Sequence, residues 1–318
     1  MRRGVKRAAV LAAVSVLGLA ACEKQQASEQ SAEAAAPAAE AVVLRPAFRT
    51  GESMTYEFME TTVQTQESPL HSVRRDVHEA RVIELRVQDA EPGGVATLGF
   101  RFLKITTVLA DNGSVTYQYD SDATTEDLSA PTRARDLMMQ LDATLTVGPG
   151  GTVLSMQANL TAEQVETLPA PMRLLLAENW YRGVVAQIFQ PVSRDRALRP
   201  NMTWTETAEA DGAAIAAESG RFTAVYETLA LDDDAATLRV QTLLERDGQN
   251  VSGQQYLDVR GYAWDRRAGN LRESEHRQRV RLSREISGTE GSESLDRQIV
   301  LRRVNPPGPI DDIETSLR

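Results

Sequence analysis

The chain has 318 residues, a formal net charge of −10 and a pI near 5.0. Hydrophobic residues make up 42% and charged residues 25%, which is a folding composition and excludes wholesale disorder. The acidic balance excludes a nucleic-acid coat, because such binding neutralises many phosphates with Lys and Arg. The single cysteine excludes a disulfide framework or a cysteine zinc site.

The chain opens on Arg2, Arg3, Lys6 and Arg7, followed by an apolar run from Ala8 to Leu19 and then Ala20-Ala21-Cys22. A basic start, a short apolar core and small residues read as a signal peptide over 1–21. As a helix the apolar run spans roughly 18 Å, short of the roughly 30 Å hydrocarbon core. The cysteine directly after Leu19-Ala20-Ala21 resembles the bacterial lipobox. That resemblance implies cleavage between Ala21 and Cys22 and attachment of acyl chains to Cys22. Glu23 follows the cysteine, and in enteric-type bacteria that implies an outer-membrane destination. Several acyl chains together hold a protein stably at a bilayer. Localisation is therefore expected in the cell envelope, facing the periplasm, with the membrane as a partner through the anchor.

Residues 22–45 are rich in Ala, Glu and Gln and read as a flexible tether or a short solvated helix. A β-rich body follows. An N-terminal β half is expected over 46–160, central helices over 161–190, a C-terminal β half over 191–304 and a loose tail over 305–318. Met54–Phe58, Val77–Val87, Val95–Leu109 and Val115–Tyr119 carry strand residues and are punctuated by turn clusters at Asp89–Gly94 and Asp111–Gly113. Thr132–Leu141 has helical spacing. Gly148-Pro149-Gly150-Gly151 predicts a hairpin, and Thr161 with Gln164 a helix start.

Pro169 and Pro171 break the following segment into a short and a longer helix. In the longer one Leu176, Trp180, Val184 and Ile188 recur every four residues and form an apolar row that must bury against something. It is the candidate ligand-facing surface. Strands resume at Met202 and run to Val304.

Three short matches suggest two related halves: Met54-Thr55 with Met202-Thr203, Val95–Leu98 with Ala235–Leu238, and Tyr119-Asp120 with Trp264-Asp265. The expected fold is mainly β: two related antiparallel curved sheets or half-barrels with a central helical segment. Gly51, Met54 and Tyr56, then Tyr119-Asp120-Ser121, Gly150–Val153, Pro200 and Trp204, and Gly261, Trp264 and Asp265 together resemble an uncharacterised family of exported bacterial β-rich proteins. The resemblance implies fold class and export and no activity. A broader likeness is to curved-sheet lipoprotein carriers of the LolA and LolB kind, and it is architectural only.

No hydrolase elbow, P-loop, dinucleotide fingerprint or zinc motif is present. No catalytic residue, metal site or cofactor is assigned. His71 and His78 have an odd spacing, which puts them on opposite faces of a strand. Asp232-Asp233-Asp234 reads as a turn more readily than as calcium ligands. Arg277, Arg279 and Arg281 share one strand face, with His276, Val280 and Leu282 on the other. The arginines read as a basic strip for lipid phosphate or as a solvent face paired with Glu. Three functions stay open: a membrane-tethered module that binds a hydrophobic ligand or lipid, a structural or assembly lipoprotein that binds an envelope protein, and a hydrolase.

Overall fold

The computed structural model describes residues 41–69, 71–123, 127–189, 196–210, 220–246, 249–251, 256–286 and 289–304. Cys22, the expected leader over 1–21 and the expected tail over 305–318 lie outside them. The elements of the first half are β1 (Val42–Val43), β2 (Ser53–Ser68), β3 (His71–Ala90), β4 (Ala96–Asp111), β5 (Ser114–Asp120), α1 (Ala130–Gln140), β6 (Asp142–Val147) and β7 (Val153–Ala158). The middle holds α2 (Ala162–Glu166), α3 (Ala170–Arg173), a 3-10 turn at Leu174–Leu176 and α4 (Glu178–Phe189). The second half is β8 (Ala197–Leu198), β9 (Thr203–Ala210), β10 (Gly220–Leu231), β11 (Ala235–Arg246), β12 (Gln249–Val251), β13 (Tyr256–Asp265), β14 (Asn270–Ile286) and β15 (Thr289–Val304).

The expected β-rich, antiparallel architecture with helices in the middle is present. Its two halves form one continuous open sheet in the order β7-β6-β4-β3-β2-β15-β14-β13-β11-β10-β9, with β5 on β4 and β12 on β11. The seam is the long β2–β15 ladder from Thr55 opposite Val304 to Glu67 opposite Ser292. A buried bond from the Tyr56 hydroxyl to the Leu271 carbonyl (2.9 Å) reaches across β15 and staples the seam. β1 pairs with β8 and Leu44 packs on the core, so the described structure includes residues ahead of Pro46. The strands around Met54 and Val77 extend well past their predicted ends, because their outer parts are held by ladder bonds to long neighbours rather than by their own apolar content.

The related halves are visible in the backbone. Gly51 N donates to Val87 O (2.8 Å), Val87 N to Glu52 O (2.8 Å) and Glu52 N to Arg49 O (2.9 Å). In the second half Asn201 N donates to Thr228 O (3.1 Å), Thr228 N to Met202 O (2.9 Å) and Met202 N to Arg199 O (3.2 Å). Gly51 and Asn201 both take positive φ, +86° and +60°, which Gly and Asn tolerate best. A bulge follows in each case, between Val87 and Asp89 opposite Leu98, and between Thr228 and Ala230 opposite Leu238.

The match of Val95–Leu98 with Ala235–Leu238 therefore falls on equivalent positions. Met202 is equivalent to Glu52 rather than to Met54, a shift of one same-face step along the strand. Tyr119 and Trp264 are not equivalent. Trp264 lies opposite Ala236 and Tyr119 opposite Thr107, while the counterpart of β13 is β6, whose Leu145 meets Leu98 as Tyr262 meets Leu238. β5 pairs with β4 as β12 pairs with β11, so between β4 and β6 only α1 lacks a counterpart among the described residues of the second half.

α4 contacts both β7, at one sheet edge, and β14, six strand spacings away. Laid flat, six spacings cover roughly 29 Å, whereas Phe189, which touches Gly151 at the β6–β7 turn, and Gln187, which bonds Ser274 on β14, are only two residues apart on the helix. The sheet must curl around α4, which makes the helix side its concave face. The β6–β7 hairpin closes against the helix end: a side chain on Gly151 would lie 2.4 Å from the Phe189 carbonyl oxygen. Only glycine fits there, which gives the glycine run its structural reason.

Candidate functional site

The capping box at Thr161 and Gln164 is formed, with Gln164 N donating to Thr161 Oγ1 (3.2 Å) and Thr161 N to Gln164 Oε1 (2.8 Å). It starts the broken helical run that delivers α4 to the concave face. Of the predicted row, Trp180 (8% exposed), Val184 (3%) and Ile188 (0%) are buried in the main core, and Leu176 packs half-buried at its margin. The row is thus least buried at the N-terminal end of α4. Trp180 sits among Phe58 (centroids 5.8 Å), Phe102 (5.9 Å) and Tyr181 (5.0 Å). Gln187 on the same helix donates to Ser274 Oγ at 2.8 Å, tying α4 to the second half.

A buried ion cluster adjoins Trp180. On β3 the inward positions are Val77, Glu79, Arg81, Ile83, Leu85 and Val87, so two charges interrupt an apolar row. Glu79 is 6% exposed and Arg81 4%. Arg81 pairs with Glu79, and its guanidinium lies over the rings of Trp180 (4.6 Å) and Phe58 (5.2 Å). From α1, Arg135 donates to Glu79 Oε2 (2.7 Å), to Thr107 Oγ1 (2.6 Å) and to the Pro131 carbonyl (3.2 Å). Thr107 donates to Glu79 Oε2 at 3.1 Å. Burial pushes the Glu79 carboxyl up, but the Arg81 and Arg135 charges and their hydrogen bonds outweigh it and hold the group at about 2. Each Arg135 guanidinium nitrogen has a partner, while Arg81 Nη1 has none among the described residues.

A second polar group lies further along the same face. Arg297 donates to Glu60 Oε1 (2.8 Å), and Glu60 stands directly opposite Glu79. On β13 and β14, His276 Nε2 lies 3.1 Å from Asp258 Oδ1, and Arg260 Nε 3.4 Å from the same oxygen. Asp258 is 1% exposed. Burial raises its pKa, yet the His276 hydrogen bond and the Arg260 charge win and lower it. For His276 burial is the larger influence, and its pKa is lowered although Asp258 opposes this.

Glu79, Arg81, Arg135 and Asp258 were not singled out from the sequence. The available signal was Glu79 and Arg81 at inward positions of an otherwise apolar alternation. Their partner on α1 had no signal, because nothing local places Arg135 opposite β3. His276 does lie on the face opposite Arg277 and Arg279, as alternation predicts. Those arginines form exposed pairs with Glu275 (2.6 Å) and Asp296 (2.7 Å), so much of the basic strip is neutralised. The Asp232 carboxylate accepts from Asp234 N (2.8 Å) and Ala235 N (2.7 Å), which is turn chemistry. His71 is exposed and His78 half-buried, on opposite faces of β3.

No family model matches the chain, and no curated protein matches it. Among solved structures it is similar to an outer membrane channel from Pseudomonas putida, at 8% identity and TM-score 0.24, over 86% of this chain and 100% of that one. It is similar to a DUF1329 family protein from Desulfovibrio piger, at 9% identity and TM-score 0.14, over 83% and 91%. A third likeness is to an outer membrane lipoprotein-sorting protein domain from Vibrio parahaemolyticus, at 7% identity and TM-score 0.14, over 82% and 91%. At these TM-scores the likenesses carry no argument about what this chain does.

Proposed function

We propose that this is a lipid-anchored protein of the cell envelope, held through Cys22 and facing the periplasm, that binds an amphipathic ligand or lipid between α4 and the concave face of its sheet. The anchor rests on the leader and the Leu19–Cys22 box. The binding reading rests on one observation: the apolar row of α4 ends, at Trp180, against a buried cation. Apolar length next to a buried charge is the chemistry an amphiphile needs, because ligand sites are mostly apolar with a few placed polar groups. Because the row is already packed, binding requires α4 to move at its less buried N-terminal end.

Native mass spectrometry of the mature protein, extracted in a neutral detergent, tests this reading. A co-purified, non-covalent mass carrying an acyl chain is the expected result. Apoprotein alone, with no amphiphile raising the thermal midpoint, overturns it, since a ligand of the native state must stabilise that state.

An assembly role is the second reading, and it has its own observation. The sheet is open, and β7 and β9 each pair on one side only among the described residues. Unpaired edges accept an added strand from another chain, and Leu154 on β7 is exposed.

A further inference from the structure

The buried cluster beside Trp180 is unbalanced. It holds two guanidinium groups, Arg81 and Arg135, against the single carboxylate of Glu79. Glu60 does not correct this, because it is taken by Arg297. A buried charge without a counter-ion is expensive, and the imbalance is localised. Arg135 uses Nε, Nη1 and Nη2 on Thr107, Pro131 and Glu79. Arg81 is bonded to Glu79 through Nε and Nη2, while its Nη1 is buried with no acceptor among the described residues. The excess charge is shared by the two guanidinium groups around Glu79, and the unmatched donor singles out Arg81.

Arg81 also sits where an apolar track begins. Its guanidinium lies over Trp180, and the half-buried Leu175 and Leu176 continue the apolar surface on the N-terminal side of Trp180. We infer that Arg81 is the headgroup site for an amphiphile with a single anionic head, a carboxylate or a phosphate, whose chain runs from Trp180 toward Leu176 at the less buried N-terminal end of α4. This rests on the amphiphile-binding reading and adds the charge of the ligand and the residue that receives it. An anion on Arg81 supplies both the missing acceptor and the missing counter-charge, whereas a buried water would supply only the acceptor.

The test uses the lipidated protein in phosphatidylcholine nanodiscs, with affinities taken from the concentration dependence of its thermal midpoint. The ligands are dodecanoate, dodecyl phosphate, dodecanol and inorganic phosphate. Expected is affinity for the two anionic amphiphiles at least about tenfold above that for dodecanol, or about 1.4 kcal/mol. In Arg81→Met that preference disappears, and in Arg81→Lys part of it returns. Equal affinity of the wild type for dodecanol and dodecanoate overturns the headgroup site and leaves the carrier reading standing. Inorganic phosphate acting as strongly as dodecyl phosphate overturns the lipid assignment. No response to any amphiphile overturns the carrier reading itself. The wild-type comparisons decide the matter even where Arg81→Met fails to fold.

Discussion

Arg135 on α1 donates to Glu79 on β3 at 2.7 Å, so the inserted helix of the first half is locked to the sheet through a buried charge. Removing Glu79 leaves both guanidinium groups uncompensated, whereas removing Arg135 leaves Glu79 still paired with Arg81. Glu79→Gln is expected to cost about 3–5 kcal/mol, because it strands two guanidinium groups. Arg81→Met removes the excess cation and is expected to cost less. Urea unfolding of both variants checks the order; a cheaper Glu79→Gln would contradict the charge count.

The same carboxylate sets an acid limit. Its folded pKa of about 2 lies below its ordinary 4.5. The unfolded chain therefore takes up the proton first as pH falls, and stability rises with pH through this window. The contribution is complete above the ordinary value and is lost between about pH 4.5 and 2, amounting to a few kcal/mol. Unfolding free energies measured across that range should slope accordingly, and the slope should shrink in Glu79→Gln.

His276 acts at higher pH in the same direction. Its folded pKa is below 6.5, so it stays neutral in the fold while the unfolded chain protonates. Stability from this group is present above the ordinary histidine value and falls as pH drops below it. His276→Gln should flatten the stability profile just below neutrality and leave the more acidic part unchanged.

Trp180→Ala empties an aromatic cluster and uncovers Arg81. The expected cost is about 3–5 kcal/mol, which at roughly 2–4 °C per kcal/mol lowers the midpoint by roughly 6–20 °C. A loss under about 1 kcal/mol, read by thermal unfolding, would mean that the row is loosely held.

The equivalent turns make a matched pair of substitutions. A side chain on Gly51 meets nothing within 4 Å, so Gly51→Ala is expected to cost only its left-handed backbone, about 1–2 kcal/mol. Asn201→Gly should be neutral or slightly stabilising, since it relieves the same conformation. Chemical unfolding of each variant checks both.

Cys22→Ser removes the thiol that the lipobox resemblance assigns to acylation. The expected product is unprocessed precursor or a form without acyl mass. Intact-mass measurement and a high-pH membrane wash check this, and unchanged mass with unchanged membrane retention would refute the anchor.

What the sequence by itself determined is whatever local chemistry decides. The expectation of a leader and an acylated Cys22 rests on charge and hydropathy along the chain. The strand rhythm follows alternation and turn residues, the Thr161 cap needs only Gln164 three positions on, and the α4 row follows from spacing by four. Even the relation of the halves showed through where a turn and bulge constrain residues, as at Leu98 and Leu238. Tertiary structure decided the rest. The joining of the halves at β2 and β15 depends on backbone ladders between residues far apart in the chain, such as Thr55 and Val304, and backbone groups are alike in every residue. The ion cluster depends on Arg135 arriving opposite Glu79 as α1 packs on β4, and on Trp180 covering Arg81 as α4 packs on the sheet. A charged residue reads as solvent-facing until its neighbours are known, because only the fold determines whether water or protein surrounds it.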